Sequence, residues 1–449
     1  MTEQYNQKPD AGNSRKFQML ETGPASLYDM EEILDETTLD IRMIRDEVGD
    51  SDVRPGKKIR IIELTFTSQA DWHGFKWEHY TKIYVPSGYS GSGEVGIIGK
   101  KWQDFEPDAI RSTIPETGQN TLAEYAEGTA LDLGIPVMAF AVPNENMNGM
   151  DESDFMGWAQ SQMLQTGDYT WYSYYPLSKA YLRAITLARN VLQLKKPRAV
   201  MLGCSKRGAA VSIATGVDPE RVAGVMTTCF HGGNHMYMAA LKFAQFGTSI
   251  GGPAVNRTGP GFVPAPQLLR SLYNPTGLTA LAYYDPYLWR EKIQSSYFVV
   301  LGTNDEFFGL GSPNEMMNSF NGDKAFLAID NTEHTYVSQK HLLAWRMWLE
   351  YNFKERPVPE VFVEVDKTDN ILVVNAKVTS QLPVKEVKLF YAYNEGTDWR
   401  FATWESVSMK TEQRIFKGSL KLLEKQALGY YVQVRDSQDG LISSLIETI

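Results

Sequence analysis

Ala199-Val-Met-Leu-Gly203-Cys204-Ser205-Lys206-Arg207-Gly208-Ala209-Ala210 is the stretch on which the reading of this chain turns. Ala199–Leu202 is a short apolar run with the character of a buried strand, and Ser205–Thr215 reads as a helix of small residues. A serine on so sharp a strand-to-helix turn is held in a strained backbone conformation that exposes its hydroxyl, and its neighbours must be small. Gly203 supplies that room two residues before Ser205. The pattern G-x-S-x-G also asks for glycine two residues after, where Arg207 stands, with Gly208 one further on.

A nucleophilic serine needs a base, and the base needs an acid to orient it. On this type of strand-to-helix turn the chain order is serine, acid, histidine. The histidines downstream of Ser205 are His231, His235, His334 and His341; His73 and His79 lie upstream. His334 follows the apolar run Ala325–Ile329 and precedes the terminal helix Val337–Tyr351, the position a base requires. His341 falls inside that helix and reads as packing or surface. His231 and His235 follow the strand Val222–Thr228 and are candidates to line a substrate pocket. The acid closes the strand Tyr297–Leu301: after Gly302-Thr-Asn comes Asp305, with Glu306 beside it as a second pocket candidate. For a developing oxyanion the expected donors are the Lys206 backbone N–H and a loop after an early buried strand, Gly99-Lys100-Lys101, with the Lys206 side chain a possible added charge.

Working outward, strands and helices alternate. Lys58 to Ser68 and Glu78 to Val85 form an antiparallel hairpin. Val95–Ile98 and Ile135–Val142 are buried strands, Thr121–Leu133 is a helix ending at Gly134, and Pro176–Leu194 is a long helix. A short helix around Leu27–Leu34 precedes them, with Asp40 to Arg45 continuing its charged segment. These features predict an α/β-hydrolase fold: a mostly parallel, doubly wound sheet with a lid insertion at about 230–291. Residues 1–25 read as a flexible lead-in, 26–357 as the hydrolase domain, and 358–449 as a C-terminal β-sandwich of immunoglobulin-like size.

With 449 residues, 43% of them hydrophobic, the chain can bury one large core and a smaller one. A net charge of −10 argues against nucleic acid as a partner. Two cysteines, Cys204 and Cys229, rule out a disulfide framework, and Cys204 is expected to be buried and free. No apolar run is long enough to span a bilayer. The first residues hold no secretory signal, so the sequence as it stands reads as cytoplasmic, and as secreted or periplasmic if a leader has been removed. No zinc spacing, H-E-x-x-H, P-loop or strand-linked G-x-G-x-x-G occurs, so neither metal nor cofactor is expected. The expected partner is a small-molecule or peptide substrate. Gly167-Asp-Tyr-Thr-Trp-Tyr-Ser-Tyr-Tyr175 could line a peptidase pocket, though aromatic rings mostly pack into cores.

Several motifs in one order resemble the PhoPQ-activated pathogenicity-related protein family. They are Trp77-Glu78-His79, Tyr84-Val85-Pro86, Val142-Pro143-Asn144, Tyr175-Pro176-Leu177-Ser178-Lys179-Ala180, Gly203 to Gly208, Val217 to Val222, Gly302 to Phe308, and Glu333-His334. The likeness runs from about Phe66 to Pro359. It implies an α/β-hydrolase with Ser205 as nucleophile, Asp305 as acid and His334 as base, and it makes Arg207 a family habit. Gly203-Cys-Ser-Lys206-Arg-Gly208 also resembles the G-C-S-[RK]-x-G motif of glucuronoyl esterases, which implies that Lys206 assists the oxyanion and that carbohydrate esters are a candidate substrate class. The expectation is a serine hydrolase acting on an ester or amide. The rival is a catalytically silent binding or signalling protein on the same scaffold, with the β-domain as its contact surface.

Overall fold

The computed structural model describes residues 23–101, 113–142, 147–150, 152–247, 274–412 and 415–449. Strands β1 (Arg42–Asp50), β2 (Lys58–Trp72), β3 (Phe75–Pro86) and β4 (Glu94–Lys101) come first. A small ribbon, β5 (Thr113–Ile114) and β6 (Gln119–Asn120), precedes β7 (Val137–Val142), β8 (Arg198–Cys204), β9 (Val222–Thr228), β10 (Ser296–Gly302) and β11 (Lys324–Ile329). All but the ribbon join one nine-stranded sheet in the order β1-β2-β3-β7-β4-β8-β9-β10-β11. The pairings up to β3–β7 are antiparallel. From β7 to β11 every pairing is parallel.

Parallel strands must be covered on both faces, and this sequence has the helices to do it. They are α1 (Glu152–Thr166), α2 (Tyr174–Leu192), α3 (Lys206–Val217), α4 (His235–Phe246), α5 (Pro275–Tyr284) and α6 (Gln339–Lys354). Ile97, Met201, Val225 and Val299 share a core with α2 and α3. Their chain neighbours Ile98, Val200, Met226 and Phe298 point to the opposite face and meet Trp345 and Trp348 of α6. The period-2 alternation of strands thus divides one run of apolar residues between two cores.

The hairpin, the parallel strands and the helix ending at Gly134 (φ 68°) stand where the sequence placed them. Three readings are corrected. Where the sequence showed only a charged segment from Asp40 to Arg45, the chain from Arg42 is the edge strand β1, whose residues are mostly exposed and so carry no apolar alternation. The segment at 27–34 is a 3₁₀ turn, Pro24–Leu27, followed by the helix Met30–Leu34 capped by Asp29. The terminal helix starts at Gln339 because Ser338 is its N-cap. Gly99, Lys100 and Lys101 belong to β4 and not to a loop after it; Lys100 and Lys101 pair with Ala141 and Val142.

Between β9 and β10 the described residues hold α4, α5 and a 3₁₀ segment. Residues 248–273 of the expected insertion lie outside the described residues, as do 1–22 of the expected lead-in.

From Glu360 the chain builds two antiparallel sheets. Its strands are β12 (Glu360–Thr368), β13 (Ile371–Thr379), β14 (Val384–Asn394), β15 (Glu405–Ser408), β16 (Lys410–Glu412), β17 (Ile415–Lys421), β18 (Ala427–Asp436), β19 (Leu441–Ser443) and β20 (Glu447–Thr448). One sheet runs β12-β13-β17-β16; the other runs β15-β14-β18-β19, with β20 on β18. Leu372, Val374 and Ala376 of the first share a core with Leu389, Val432 and Val434 of the second. The second sheet also covers the last edge of the nine-stranded one. Ala328 of β11 donates its N–H to Ser443 Oγ at 2.8 Å, and Gln433 Nε2 donates to the Ala328 carbonyl at 3.2 Å. No described helix is long and apolar enough to cross a membrane.

Candidate active site

Ser205 ends the turn between β8 and α3 with φ 57° and ψ −119°, a backbone conformation that side-chain-bearing residues rarely adopt. The turn is held from both sides. The Ser205 N–H donates to the Thr228 carbonyl at 2.8 Å, and the Ser205 carbonyl accepts from Ala209 N–H at 3.1 Å. A Cβ on Gly203 would stand 2.1 Å from the Arg207 carbonyl oxygen, and one on Gly208 would stand 2.7 Å from Phe230 Cβ. The turn therefore needs glycine at 203 and 208, whereas position 207 tolerates a side chain. The Arg207 side chain is buried and meets Glu152 of α1, Nη2 to Oε1 at 3.1 Å. Lys206 Nζ lies 3.3 Å from the other oxygen of the same carboxylate, so its charge is already opposed by Glu152.

Asp305 and His334 follow β10 and β11, at the same end of the sheet. Asp305 Oδ2 accepts from His334 Nδ1 at 2.9 Å, while Oδ1 accepts from the Phe307 and Phe308 N–H groups at 2.8 and 2.9 Å. The carboxylate is buried, and its three donors fix its orientation. Burial alone would push the imidazole below its ordinary 6.5, but the charge of Asp305 and its hydrogen bond outweigh burial and hold it above. With Nδ1 committed to Asp305, Nε2 is the nitrogen left for proton transfer. Among the described residues Ser205 Oγ makes no hydrogen bond.

Cys229 sits between the two parts. It follows β9 directly after Thr228, the register partner of Cys204, and its sulfur lies within 4.8 Å of ligand atoms of both Asp305 and His334. Those three groups could in principle hold a metal ion. Their bonding speaks against it: Asp305 is saturated, and burial pushes the Cys229 thiol well up, so it stays protonated and donates to the Thr335 carbonyl at 2.9 Å. Both cysteines are free; Cys204 is half-buried where full burial was expected.

The other expected site residues separate into groups. Glu306 reaches the His334 backbone: its Oε2 accepts the His334 N–H at 2.9 Å. His235 begins α4 with Nδ1 3.2 Å from Asp285 Oδ2, and that carboxylate also takes the Asn234 and His235 N–H groups at 2.7 Å. His231 is fully buried, with its ring 5.2 Å from that of Phe308. His341 is buried in α6, its Nδ1 bonded to Ser338 Oγ. Lys100 is buried under the Tyr336 ring, with Nζ 3.7 Å from the ring centre. The Lys101 side chain and residues 102–112, which follow β4, lie outside the described residues. Most rings between 169 and 175 pack on one another and on His73, Tyr28 and Tyr284.

One set of residues was not foreseen. Asn304, next to Asp305, donates Nδ2 to the carbonyls of Arg400 at 3.1 Å and Ala402 at 2.7 Å. Asn331, three residues before His334, exchanges two 2.8 Å bonds with the backbone of Trp404. Thr303 Oγ1 accepts the Asn331 N–H at 3.0 Å and ties the two loops together. The segment 399–404 between β14 and β15 thus grips both the acid loop and the base loop. Only the loop amides near the two site residues could have hinted at this, and their partners lie 73 to 98 positions away.

A family model described as PhoPQ-activated pathogenicity-related protein matches residues 51–400. Among curated proteins, the chain is 22% identical over 376 residues to autocrine proliferation repressor protein A of Dictyostelium discoideum, covering 76% of this chain and 70% of that protein. Among solved structures it is similar to an acetyl xylan esterase from Paenibacillus sp. R4, at 14% identity and TM-score 0.47, covering 75% of this chain and 99% of the other. It is also similar to a glucuronoyl esterase from Solibacter usitatus, at 11% identity and TM-score 0.42, covering 71% and 86%.

Proposed function

The chain belongs to the PhoPQ-activated pathogenicity-related protein family, and on that premise we propose that it is a serine hydrolase that cleaves an ester or amide through an acyl-enzyme on Ser205. The observation that carries this is the set of three groups at one end of the parallel strands: a strained Ser205 after β8, Asp305 after β10, and His334 after β11 bonded to Asp305 at 2.9 Å. We take 26–357 as an α/β-hydrolase domain with a lid at about 230–291, and 358–449 as an immunoglobulin-like β-sandwich.

In this mechanism Ser205 Oγ attacks the substrate carbonyl carbon while His334 Nε2 takes its proton. Asp305 keeps the other proton on Nδ1 and stabilises the imidazolium. The carbonyl electrons move to oxygen, and the Lys206 N–H at the start of α3 donates to that oxyanion, helped by the helix dipole. A second donor is expected from the end of β4 at Lys101, since the Gly99 N–H is taken by the Tyr181 hydroxyl at 3.1 Å. When the tetrahedral intermediate collapses, the bond to the leaving group breaks and His334 returns the proton to it. Water then repeats the sequence on the acyl-enzyme and frees Ser205.

The test is covalent labelling with a fluorophosphonate probe, followed by turnover of a panel of aryl esters and aminoacyl amides. Ser205 should be the labelled residue, and Ser205→Ala should lose labelling and about 10³-fold or more in turnover. A folded protein that neither labels nor turns over any substrate is the silent binding scaffold instead.

A further inference from the structure

Lys242 and His231 stand beside the Asp305–His334 pair, and the mechanism above uses neither. Lys242, on α4, is only 8% exposed, yet among the described residues its ammonium has no hydrogen-bond or ion-pair partner. It lies 5.5 Å from the centre of the Phe308 ring. The negative charge it feels is that of Asp305, whose oxygens are already taken by two N–H groups and His334. His231 is fully buried on the same ring, with the Gly233 backbone near it, and among the described residues neither of its nitrogens makes a well-formed hydrogen bond. Phe308 in turn packs at 5.9 Å from the His334 ring, so one phenyl ring adjoins an unpaired ammonium, an unpaired imidazole and the base.

Buried polar groups are ordinarily satisfied, and an unpaired buried charge is the most costly exception. His231 is such an exception; the Lys242 ammonium is mostly buried but not fully enclosed, so a ligand that reaches it from solvent would meet both groups beside the proposed reactive centre. The charge balance says what it is. Burial pushes His231 down to about 3, so it is neutral and offers one N–H donor. Burial likewise pulls Lys242 down to about 8, which leaves it protonated at neutral pH. One positive charge and one neutral donor match a monoanion with two acceptor oxygens. A phosphate dianion would call for further cations or an arginine fork.

We propose that Lys242 and His231 form a subsite for a carboxylate carried by the substrate, so that the ester or amide cleaved at Ser205 belongs to a carboxylate-bearing compound. The proposal rests on the hydrolase reading and names its substrate class. Lys242 acts here as a specificity-determining residue: it binds a part of the substrate that does not react.

The test compares two aryl esters with one leaving group, a neutral butyrate and a hemisuccinate whose acyl chain ends in a carboxylate. Two further esters carry the carboxylate on the leaving group or not. The full chain should prefer one carboxylate-bearing ester over its neutral counterpart by about 10- to 100-fold in kcat/KM, the range of a charged hydrogen bond. Lys242→Met, which keeps the apolar stem, should erase that preference while neutral esters react within about 2-fold of the parent. Lys242→Arg should retain most of it, which separates charge from folding. Labelling at Ser205 without any carboxylate preference, or Lys242→Met reducing both esters equally, overturns the subsite and leaves the hydrolase intact. Absence of labelling and turnover overturns the hydrolase reading, and the subsite with it.

Discussion

The two halves of the proposed site are held in different ways. The half that carries the proposed nucleophile is built within six residues, Gly203 to Gly208, where close backbone contacts hold Ser205 at φ 57°. The half that carries the proposed acid and base is built by distant parts of the chain. Asp305 and His334 sit on loops that reach each other through Thr303 and are gripped from outside by the backbone at Arg400, Ala402 and Trp404. One half is a local turn that the strand before it and the helix after it enforce. The other is also braced by the segment between β14 and β15, so the C-terminal sheets contact the loops of the proposed site as well as covering the β11 edge.

That contrast can be broken at its strongest point by Gly203→Ala. The new methyl group would stand 2.1 Å from a backbone oxygen that cannot move without opening the turn. Labelling at Ser205 and turnover should fall by about 10³-fold or more, as for loss of the nucleophile. Near-normal turnover would show that the turn is not locally determined. Asn331→Ala tests the other half. It removes an amide that both donates to and accepts from Trp404, leaving a buried carbonyl and N–H unpaired, which costs about 1–3 kcal/mol in a urea melt. The expected kinetic effect is a fall in kcat of about 10-fold at similar KM, because the base loop loses its register. An unchanged kcat would mean that the acid–base half needs no support from the C-terminal sheets.

The pH profile sharpens the comparison most finely. In the proposed mechanism His334 must be neutral to take the serine proton, and Asp305 holds it above its ordinary 6.5. Turnover should therefore be lost as pH falls through that raised value and be retained above it. In Asn331→Ala, a looser Asp305–His334 bond lowers the imidazole's proton affinity, and the acid limb should move to lower pH. A limb that stays in place would assign the Asn331 effect to stability alone.

Much of the fold was legible because its signals are short-range. The apolar runs of β8, β9, β10 and β11 were read to within about three residues, since a strand buried on both faces must be continuously apolar. β1 escaped notice because an exposed edge strand carries charged residues and no alternation. α1 escaped because its apolar residues do not collect on one face, although it supplies Glu152 to Lys206 and Arg207. The position of Glu306 beside Asp305 suggested a pocket residue. Its bond to the His334 backbone could not be foreseen, because it depends on how two loops meet.

Ser205 at a strand-to-helix turn, with an acid and then a histidine later in the chain, was determined by the sequence alone, because steric crowding at glycine and chain order are local or one-dimensional properties. Only the tertiary structure decided that Asp305 lies 2.9 Å from His334, that Asn304 and Asn331 bind a segment more than seventy residues away, and that Lys242 is mostly buried near Asp305 with no ion pair of its own among the described residues. Hydrogen bonding and desolvation depend on what surrounds a group in space, and folding brings together neighbours that the order of residues does not reveal.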